Sequence, residues 1–492
     1  MSVLLLFSRL SGLMREQMIA ARLGLSPEAD ATVVMLTLPD MLVNILLAGG
    51  FSAALVPALS RAAPAERLEL LQRSILYVTS GAVVLGIGLL VFRNTLLDLL
   101  APSLDTSALT NFHVGFALSI LVLPLSFALG PSAAYLQVER RNALPPLSVV
   151  VFNGVLLVYF ATLPTGLTHP GLMDFTLFGA AMMVAVLLRL GTLAVGMSAA
   201  FRKTALQARF PPGFGRQFLQ GVAAQSLVAA TPIIFRSLQS TSGPGNLAAF
   251  SFAERLFHLP VALLISPIML IFLPILSRLS QGSNGTFRAR ILLASDAAFA
   301  ATLSAAGVLA LFAVPISEVV FGYGRMQIEE TTQIASSFRI FLAGLPAFAI
   351  FQVMSAALNA QMRTLRVLQA TILALATSVL VFLTLDQAGL PAYVSASWGF
   401  ASFHIAAAAI SVLFAMETYE LPKLARQLGR TFLRCMAVLI PTVLILNVLS
   451  LPESLLTDLF LILCITVLMT VANFRVFLSL RSVRIDEGET SQ

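Results

Sequence analysis

The residues best suited to bind an anion lie near the start of the chain, inside an otherwise apolar segment. Arg9, Arg15 and Glu16 occur there within one predicted helix. At about 100° per residue, Arg9 and Glu16 share a helix face while Arg15 points elsewhere. Arginine forms paired hydrogen bonds with phosphate and keeps its charge when desolvated. The pattern therefore favours a basic cavity wall for an anionic substrate. The alternative is that one arginine pairs with Glu16 and another reaches the membrane interface.

Carboxylates in the second apolar segment are candidates for ion binding or coupling, and Glu16 joins them. Asp40 follows Pro39, and Asp30 lies at the start of the segment. Because Pro39 and the later Gly49-Gly50 loosen a helix, Asp40 could bind a cation or pair with an arginine of the first segment. Asp30 is either a functional carboxylate or a plain helix cap.

A second charged cluster, Glu254, Arg255 and His258, lies in the eighth apolar segment. Arg255 and His258 are three residues apart and are neighbours on a helix. A charge inside a span is costly and usually faces a cavity or a partner. We predict that Arg255 binds the anion and that Glu254 and His258 serve coupling. The alternative is that Glu254 and Arg255 neutralise each other. Arg189 and Arg339, isolated in other segments, are assigned structural pairing.

No motif of an enzyme occurs in the chain. It contains no HExxH, GxSxG or Walker loop and no paired Asp-rich motif of a prenyl transferase. We therefore expect no enzymatic activity, no cofactor and no metal. Without a nucleotide-binding loop, a gradient of a monovalent ion or the membrane potential is the natural energy source.

The composition requires lipid as the solvent of most of the chain. Of its 492 residues, 58% are hydrophobic and 11% are charged, and the mean hydropathy is +0.92. Soluble domains are about 25% charged. The net charge of +7 would suggest nucleic acid in a soluble protein. Here the positive residues lie mainly between apolar runs, so we expect membrane lipids as partners and no nucleic acid.

We predict an all-α integral membrane protein with about fourteen transmembrane helices, since a span needs about 20 apolar residues. The segments are 1–22, 31–59, 76–100, 111–136, 145–163, 175–200, 217–238, 246–276, 291–314, 333–358, 368–385, 391–416, 432–450 and 455–478. With a cytoplasmic N-terminus, 21 basic residues fall on cytoplasmic loops and ends and four on the opposite side. This bias predicts that both termini are cytoplasmic.

The chain also repeats itself. VPALSR at 56–61 matches LPILSR at 273–278, an offset of 217 residues. A similar offset separates two Ser-Ala-Ala tripeptides that close segments 4 and 10, each followed by two arginines. Repeats six spans apart have the same orientation and form parallel-related halves. The predicted division is a six-helix half at 1–205, a second at 206–420, and two further helices with a short tail at 421–492.

The run SRLSGLMRE at 8–16 resembles the SRxxGxxRD/E opening of the MurJ/MviN family of lipid II flippases. Further similarities are EADA at 28–31 to TDAF, LPDML at 38–42 to LPNLL, GFS and VP within 50–57 to GAFSxAFVP, FAERL at 252–256 to YADRL, and FGYG at 321–324 to FxYG. The resemblance implies the fourteen-helix fold of the MOP exporter superfamily in the bacterial inner membrane. It also implies alternating-access transport of undecaprenyl-pyrophosphate-linked peptidoglycan precursor to the periplasmic leaflet. Arg9, Arg15 and Arg255 would hold the pyrophosphate, and Asp30 matches a family carboxylate. Cell-wall synthesis proteins are the implied protein partners.

This sequence departs from the family at charged positions. Val43 and Asn44 stand where the family has two arginines, and Ala48 and His258 stand where it has glutamates. The loss of charge keeps two alternatives open: a flippase for another polyprenyl-linked saccharide, such as an exopolysaccharide or O-antigen precursor, or a non-transporting scaffold for envelope synthesis. The SRxxGxxRE signature disfavours a cation-coupled drug exporter.

Overall fold

A computed structural model describes most of the chain. The described residues are 2–107, 109–163, 173–197, 210–279, 284–361, 363–417, 420–448, 455–474, 476 and 478. They are helical throughout, apart from short connections, and contain no strand. The predicted all-α class is therefore confirmed. The chain divides into two compact units, one of Met1–Ser251 with Phe321–Glu330 and one of Phe252–Val320 with Thr331–Gln492.

The first unit contains the helices of the N-terminal half of the chain. They are α1 (Ser2–Leu23), α2 (Pro27–Ile45), a π-helical stretch (Leu46–Leu55), α3 (Val56–Arg61), α4 (Pro64–Val91), α5 (Arg93–Leu100), α6 (Phe112–Leu121), α7 (Leu123–Val138), α8 (Leu144–Thr162), α9 (Phe175–Gly196), α10 (Phe214–Ser240) and the start of α11 (Asn246–Pro260). Leu71, Leu129 and Leu193 form part of its buried core. The division at 205 and 420, which rests on the repeat, stays a prediction.

The second unit contains the rest of α11 and the helices that follow it. They are a π-helical stretch (Val261–Ile265), α12 (Ser266–Leu279), α13 (Asn284–Leu311), α14 (Ala313–Phe321, whose last residue joins the first unit), α15 (Ile328–Ala360), α16 (Thr364–Gln387), α17 (Ala392–Ala415), α18 (Leu421–Val448) and α19 (Leu455–Ala472). Its core includes Phe312, Cys435 and Met469, from α13, α18 and α19.

Within the described residues, eleven helices are long and apolar enough to cross a membrane. The remaining predicted segments, 1–22, 31–59 and 455–478, are also helical where described. Large apolar side chains such as Val84, Leu380 and Leu433 are more than half exposed. Exposed apolar surface of this extent needs a lipid environment. The chain is therefore a multi-span membrane protein, and the count of fourteen spans is consistent with the described helices.

Several helices differ in extent from the predicted segments. Segment 76–100 is divided at Phe92 and segment 111–136 at Val122. The second break precedes Pro124, which lacks an N–H and begins a helix well. At the predicted cytoplasmic side, α4 and α18 begin about three turns earlier than predicted, because their charged first turns carry no apolar signal.

The two helical segments that carry the repeat both change from α to π geometry. Pro39 lies inside α2, and π geometry begins at Leu46. Pro260 ends α11, and a π-helical stretch follows at Val261. Proline removes a hydrogen bond of the helix, and π-helical turns concentrate at functional sites. The predicted loosening of the second segment is thus observed, and segment 8 has the same feature.

Candidate functional site

Arg15 lies at the centre of a buried polar network between α1 and α8. Its Nη1 donates to Oδ1 of Asn153 at 3.2 Å, and Nδ2 of Asn153 donates to Oγ of Ser11 at 3.0 Å. Arg15 is 3% exposed. Gly12 lies on the same side, because a Cβ there would be 3.7 Å from the Asn153 amide. The interface between α1 and α8 therefore forms around one guanidinium group.

Two carboxylates neutralise Arg15. Its Nη2 lies 2.9 Å from Oε1 of Glu16 and 3.7 Å from Oδ2 of Asp40. Glu16 is buried, and the Asp40 side chain is about one-third exposed. The sequence spacing placed Arg15 on a different face from Glu16, but the long side chain bends toward it. The expected pairing of Asp40 with an arginine of the first segment is confirmed.

Arg189 joins this network from α9, although the sequence suggested an isolated residue. The Cζ atoms of Arg15 and Arg189 lie 6.0 and 5.6 Å from the centroid of the Phe152 ring. Such contacts add a cation–π attraction to both guanidinium groups. The Nε atoms of both arginines are buried without a hydrogen-bond partner among the described residues. The site thus holds two arginines and two carboxylates, and its formal charge is zero.

The other predicted anion-binding residues differ from Arg15 in exposure. Arg9 in the first unit and Arg255 in the second are both exposed. Glu254 is buried, and its Oε1 lies 3.4 Å from Nε2 of His258, one turn further along α11. An internal Glu254–Arg255 pair is therefore not the only contact in this cluster.

Asp30 caps a helix other than its own. Ser26 caps α2, whereas the carboxylate of Asp30 accepts from the backbone N–H groups of Gly245 and Ala248, both at 2.7 Å. These groups begin α11, whose first-turn N–H groups lack partners within the helix. Both oxygens of the buried Asp30 carboxylate are therefore engaged, and the residue joins the start of the second segment to the start of α11.

A short segment after α14 holds the end of α1 in place. The N–H of Arg325 donates to the carbonyl of Ala21 at 2.9 Å, and the N–H of Leu25 donates to Glu330 at 3.3 Å. Gly324, the last residue of the FGYG motif, has φ +68°, and a Cβ there would lie 2.1 Å from the Ala21 oxygen. Only glycine fits this position, which explains the final residue of the motif.

Sequence reasoning missed Asn153 and the position of Arg189. Asn153 is the only Asn of the apolar segment 145–163, a signal that was present but not used. Among the departures from the family, Val43 is buried, and the side chains of Asn44 and Ala48 lie outside the described residues. The arrangement can bind an anion at Arg15 only if that residue exchanges its carboxylate and amide partners.

Comparison with known proteins gives the same family from sequence and fold. A family model described as lipid II flippase MurJ matches residues 19–470. The match begins after Glu16, so it does not depend on the SRLSGLMRE run. A probable lipid II flippase MurJ of Rhizobium tropici is 25% identical over 409 residues, covering 78% of this chain and 74% of that protein. The lipid II flippase MurJ of Burkholderia cenocepacia is 24% identical over 380 residues, covering 71% and 70%.

Solved structures share the fold at low sequence identity. A lipid II flippase MurJ in an inward closed conformation aligns with a TM-score of 0.77 and 15% identity, covering 97% of this chain and 99% of that one. An inward-facing multidrug resistance MATE transporter of the MOP superfamily aligns with a TM-score of 0.68 and 15% identity, covering 85% and 96%. The predicted relation of the fold to MOP transporters is confirmed.

Proposed function

The chain belongs to the MurJ family of lipid II flippases, and we propose that it moves lipid II, an undecaprenyl-pyrophosphate-linked peptidoglycan precursor, from the cytoplasmic to the periplasmic leaflet of the bacterial inner membrane. The observation that carries this function is the family match across residues 19–470, supported by the similarity of fold. Transport needs no covalent chemistry, so the polar residues act by binding and release.

Three arginines provide the contacts for the substrate's pyrophosphate in this proposal. Arg9 and Arg255 are exposed and can reach phosphate oxygens without losing a buried partner. Arginine suits this role because two of its N–H groups fit two phosphate oxygens and the pair is charge-assisted. Arg15 contributes only in a state in which the substrate replaces Glu16 and Asp40.

The exchange at Arg15 supplies a route to ion coupling. When a phosphate takes the guanidinium, Glu16 and Asp40 lose part of their compensating charge in a poorly hydrated place. A carboxylate in that position favours binding of a proton or a monovalent cation. Release of the substrate on the far side restores the ion pairs, and the cation can leave. The neutral network of Arg15, Arg189, Glu16 and Asp40 would then be the resting state of an alternating-access cycle.

Proteoliposomes with labelled lipid II test the arginine contacts directly. Purified chain is reconstituted, and the fraction of label reached by a membrane-impermeant reagent is followed with time. Arg255→Gln and Arg15→Gln should slow the exchange strongly. Arg339→Gln is the matched control, because Arg339 is an exposed arginine on α15 whose Nε donates to a backbone carbonyl. Equal rates for Arg255→Gln and the wild type would remove Arg255 from the mechanism.

One observation favours a second candidate cargo. Val43, buried at 6% exposure, occupies a position where the resemblance implies an arginine. A cavity with fewer cations suits a polyprenyl-linked saccharide with a smaller charge. The same vesicles loaded with another undecaprenyl-linked saccharide decide between the cargoes, since faster movement of that lipid than of lipid II would favour the second candidate.

A further inference from the structure

Four basic residues form a stripe along the first half of α18, in the second unit. Lys423, Arg426, Arg430 and Arg434 are spaced by three, four and four residues, so they share one face of the helix. They line a cavity of about 540 Å³ between α18, α13 and the end of the described chain. None of these residues belongs to the proposed pyrophosphate contacts.

The cavity has an excess of positive charge. Asp296 is its only lining carboxylate, and it already accepts from Oγ1 of Thr431 at 2.6 Å and from Nε2 of Gln427 at 3.1 Å. Within the described residues, none of the four cations forms an ion pair or a side-chain hydrogen bond with a carboxylate. Arg288, close by in sequence to this face, pairs instead with Glu417 and Glu420. The unbalanced charge is therefore specific to the cavity.

The depth of Arg434 in the membrane makes water a poor partner for it. The 28 residues of α18 are about 42 Å long, while the hydrocarbon core is about 30 Å thick. Counted back from Val448, a span of about 20 residues begins near Gly429. Arg434 then lies about one turn inside the apolar region, half-buried. A guanidinium at that depth is costly unless an anion meets it.

An apolar groove continues from the basic cavity. A second cavity of about 460 Å³ lies between α18 and α19 and is lined by Ala437, Val438, Val471, Ala472 and Phe474, together with Arg434. Arg434 thus joins a cation-lined space to an apolar one. This combination matches a molecule with an anionic head and an aliphatic tail, whereas an inorganic ion would leave the groove unused.

We propose that these two cavities bind an anionic phospholipid of the cytoplasmic leaflet. Its phosphate lies at Arg430 and Arg434, and one acyl chain lies in the groove between α18 and α19. The charge bias of the loops assigns the start of α18 to the cytoplasmic side, where basic pockets between helices bind anionic head groups. The lipid is a bound partner of the second unit and is separate from the transported substrate.

Native mass spectrometry of the purified full chain tests this site. The chain is titrated with phosphatidylglycerol or phosphatidylcholine, and the bound lipids are counted. Wild type should bind phosphatidylglycerol preferentially. The double variant Arg430→Gln/Arg434→Gln should lose about tenfold or more in apparent affinity for phosphatidylglycerol, since each basic residue near the head groups contributes appreciably. Arg430→Lys/Arg434→Lys should retain the preference, which separates charge from folding.

Two further arms identify the ligand and exclude general attraction to the surface. Ala437→Trp, which fills the groove, should weaken phosphatidylglycerol binding while all four cations remain. Arg61→Gln/Arg140→Gln is the matched control, because both arginines are exposed outside the cavities, and it should bind as wild type does. An equal loss in this control, an unchanged preference in Arg430→Gln/Arg434→Gln, or displacement of the lipid by millimolar inorganic phosphate with no effect of Ala437→Trp would overturn the proposal.

Discussion

Replacement of Arg15 by methionine should destabilise the protein far more than loss of one hydrogen bond. The guanidinium is 3% exposed, and it pairs with Glu16, which is 2% exposed. Without it, the Glu16 carboxylate stays buried and loses its 2.9 Å ion pair. Breaking a buried pair in this way costs about 3–5 kcal/mol. We expect about 3 kcal/mol, the lower end, because Glu16 has a further interaction.

A second substitution should recover much of this loss. In Arg15→Met/Glu16→Gln the buried charge is gone, and only a polar amide and the Asn153 contact remain to be compensated. A remaining loss of about 1 kcal/mol is expected from the unmade hydrogen bonds. The double-mutant cycle should therefore give a coupling energy of about 2 kcal/mol between these two residues.

The assay combines unfolding with transport. Unfolding in mixed micelles, titrated with a denaturing detergent, gives the free energies for wild type, both single variants and the double variant. Arg22→Met on the same helix is the matched control, because Arg22 donates to the Leu163 and Ala161 carbonyls. Its coupling to Glu16→Gln should be near zero.

Transport should separate from stability in these variants. If Arg15 binds pyrophosphate, the double variant stays slow in lipid II transport although it is nearly as stable as wild type. A coupling energy near zero would refute the ion-pair assignment. A double variant with full transport would refute the role of Arg15 in substrate binding, whatever its stability.

Three further predictions concern the elements around the network. Asp30→Ala should lower the stability by about 1–2 kcal/mol in the same unfolding assay, because two N–H groups at the start of α11 lose their acceptor; an unchanged value would mean that this cap is not stabilising. Gly324→Ala should cost about 1–2 kcal/mol from its left-handed backbone alone, whereas Gly88→Ala inside α4, with open space around its Cβ, should be neutral or stabilising; equal effects would contradict the assignment. With Cys435 and Cys464 replaced, a cysteine at exposed Ala388 should react with an impermeant thiol reagent added to whole cells and one at exposed Ala143 should not; the reverse pattern would invert the predicted orientation.

The helical architecture was predictable because hydropathy reports directly on what the membrane demands. Each of the fourteen predicted segments contains a described helix. The ends were less predictable, since Lys423 and Arg426 give no apolar signal although they continue α18. Breaks such as that at Val122 depend on local packing that a hydropathy window averages out.

The candidate site was predictable in its residue types but not in its partners. The sequence singled out Arg15, Glu16 and Asp40 because charges are rare in spans, and the structure brings these three together. It could not show that Asn153 and Arg189 meet them, because contacts between helices far apart in sequence leave no local pattern. The direction of Asp30 toward α11 was hidden for the same reason.

Complementation of a Gram-negative host depleted of its own lipid II flippase tests the central claim most directly. Expression of this chain should restore growth and cell shape, and Arg255→Ala should abolish the rescue at equal membrane abundance. Arg339→Ala should still rescue. Failure of the wild-type chain to rescue, despite confirmed insertion in the inner membrane, would contradict transport of lipid II and favour another polyprenyl-linked cargo.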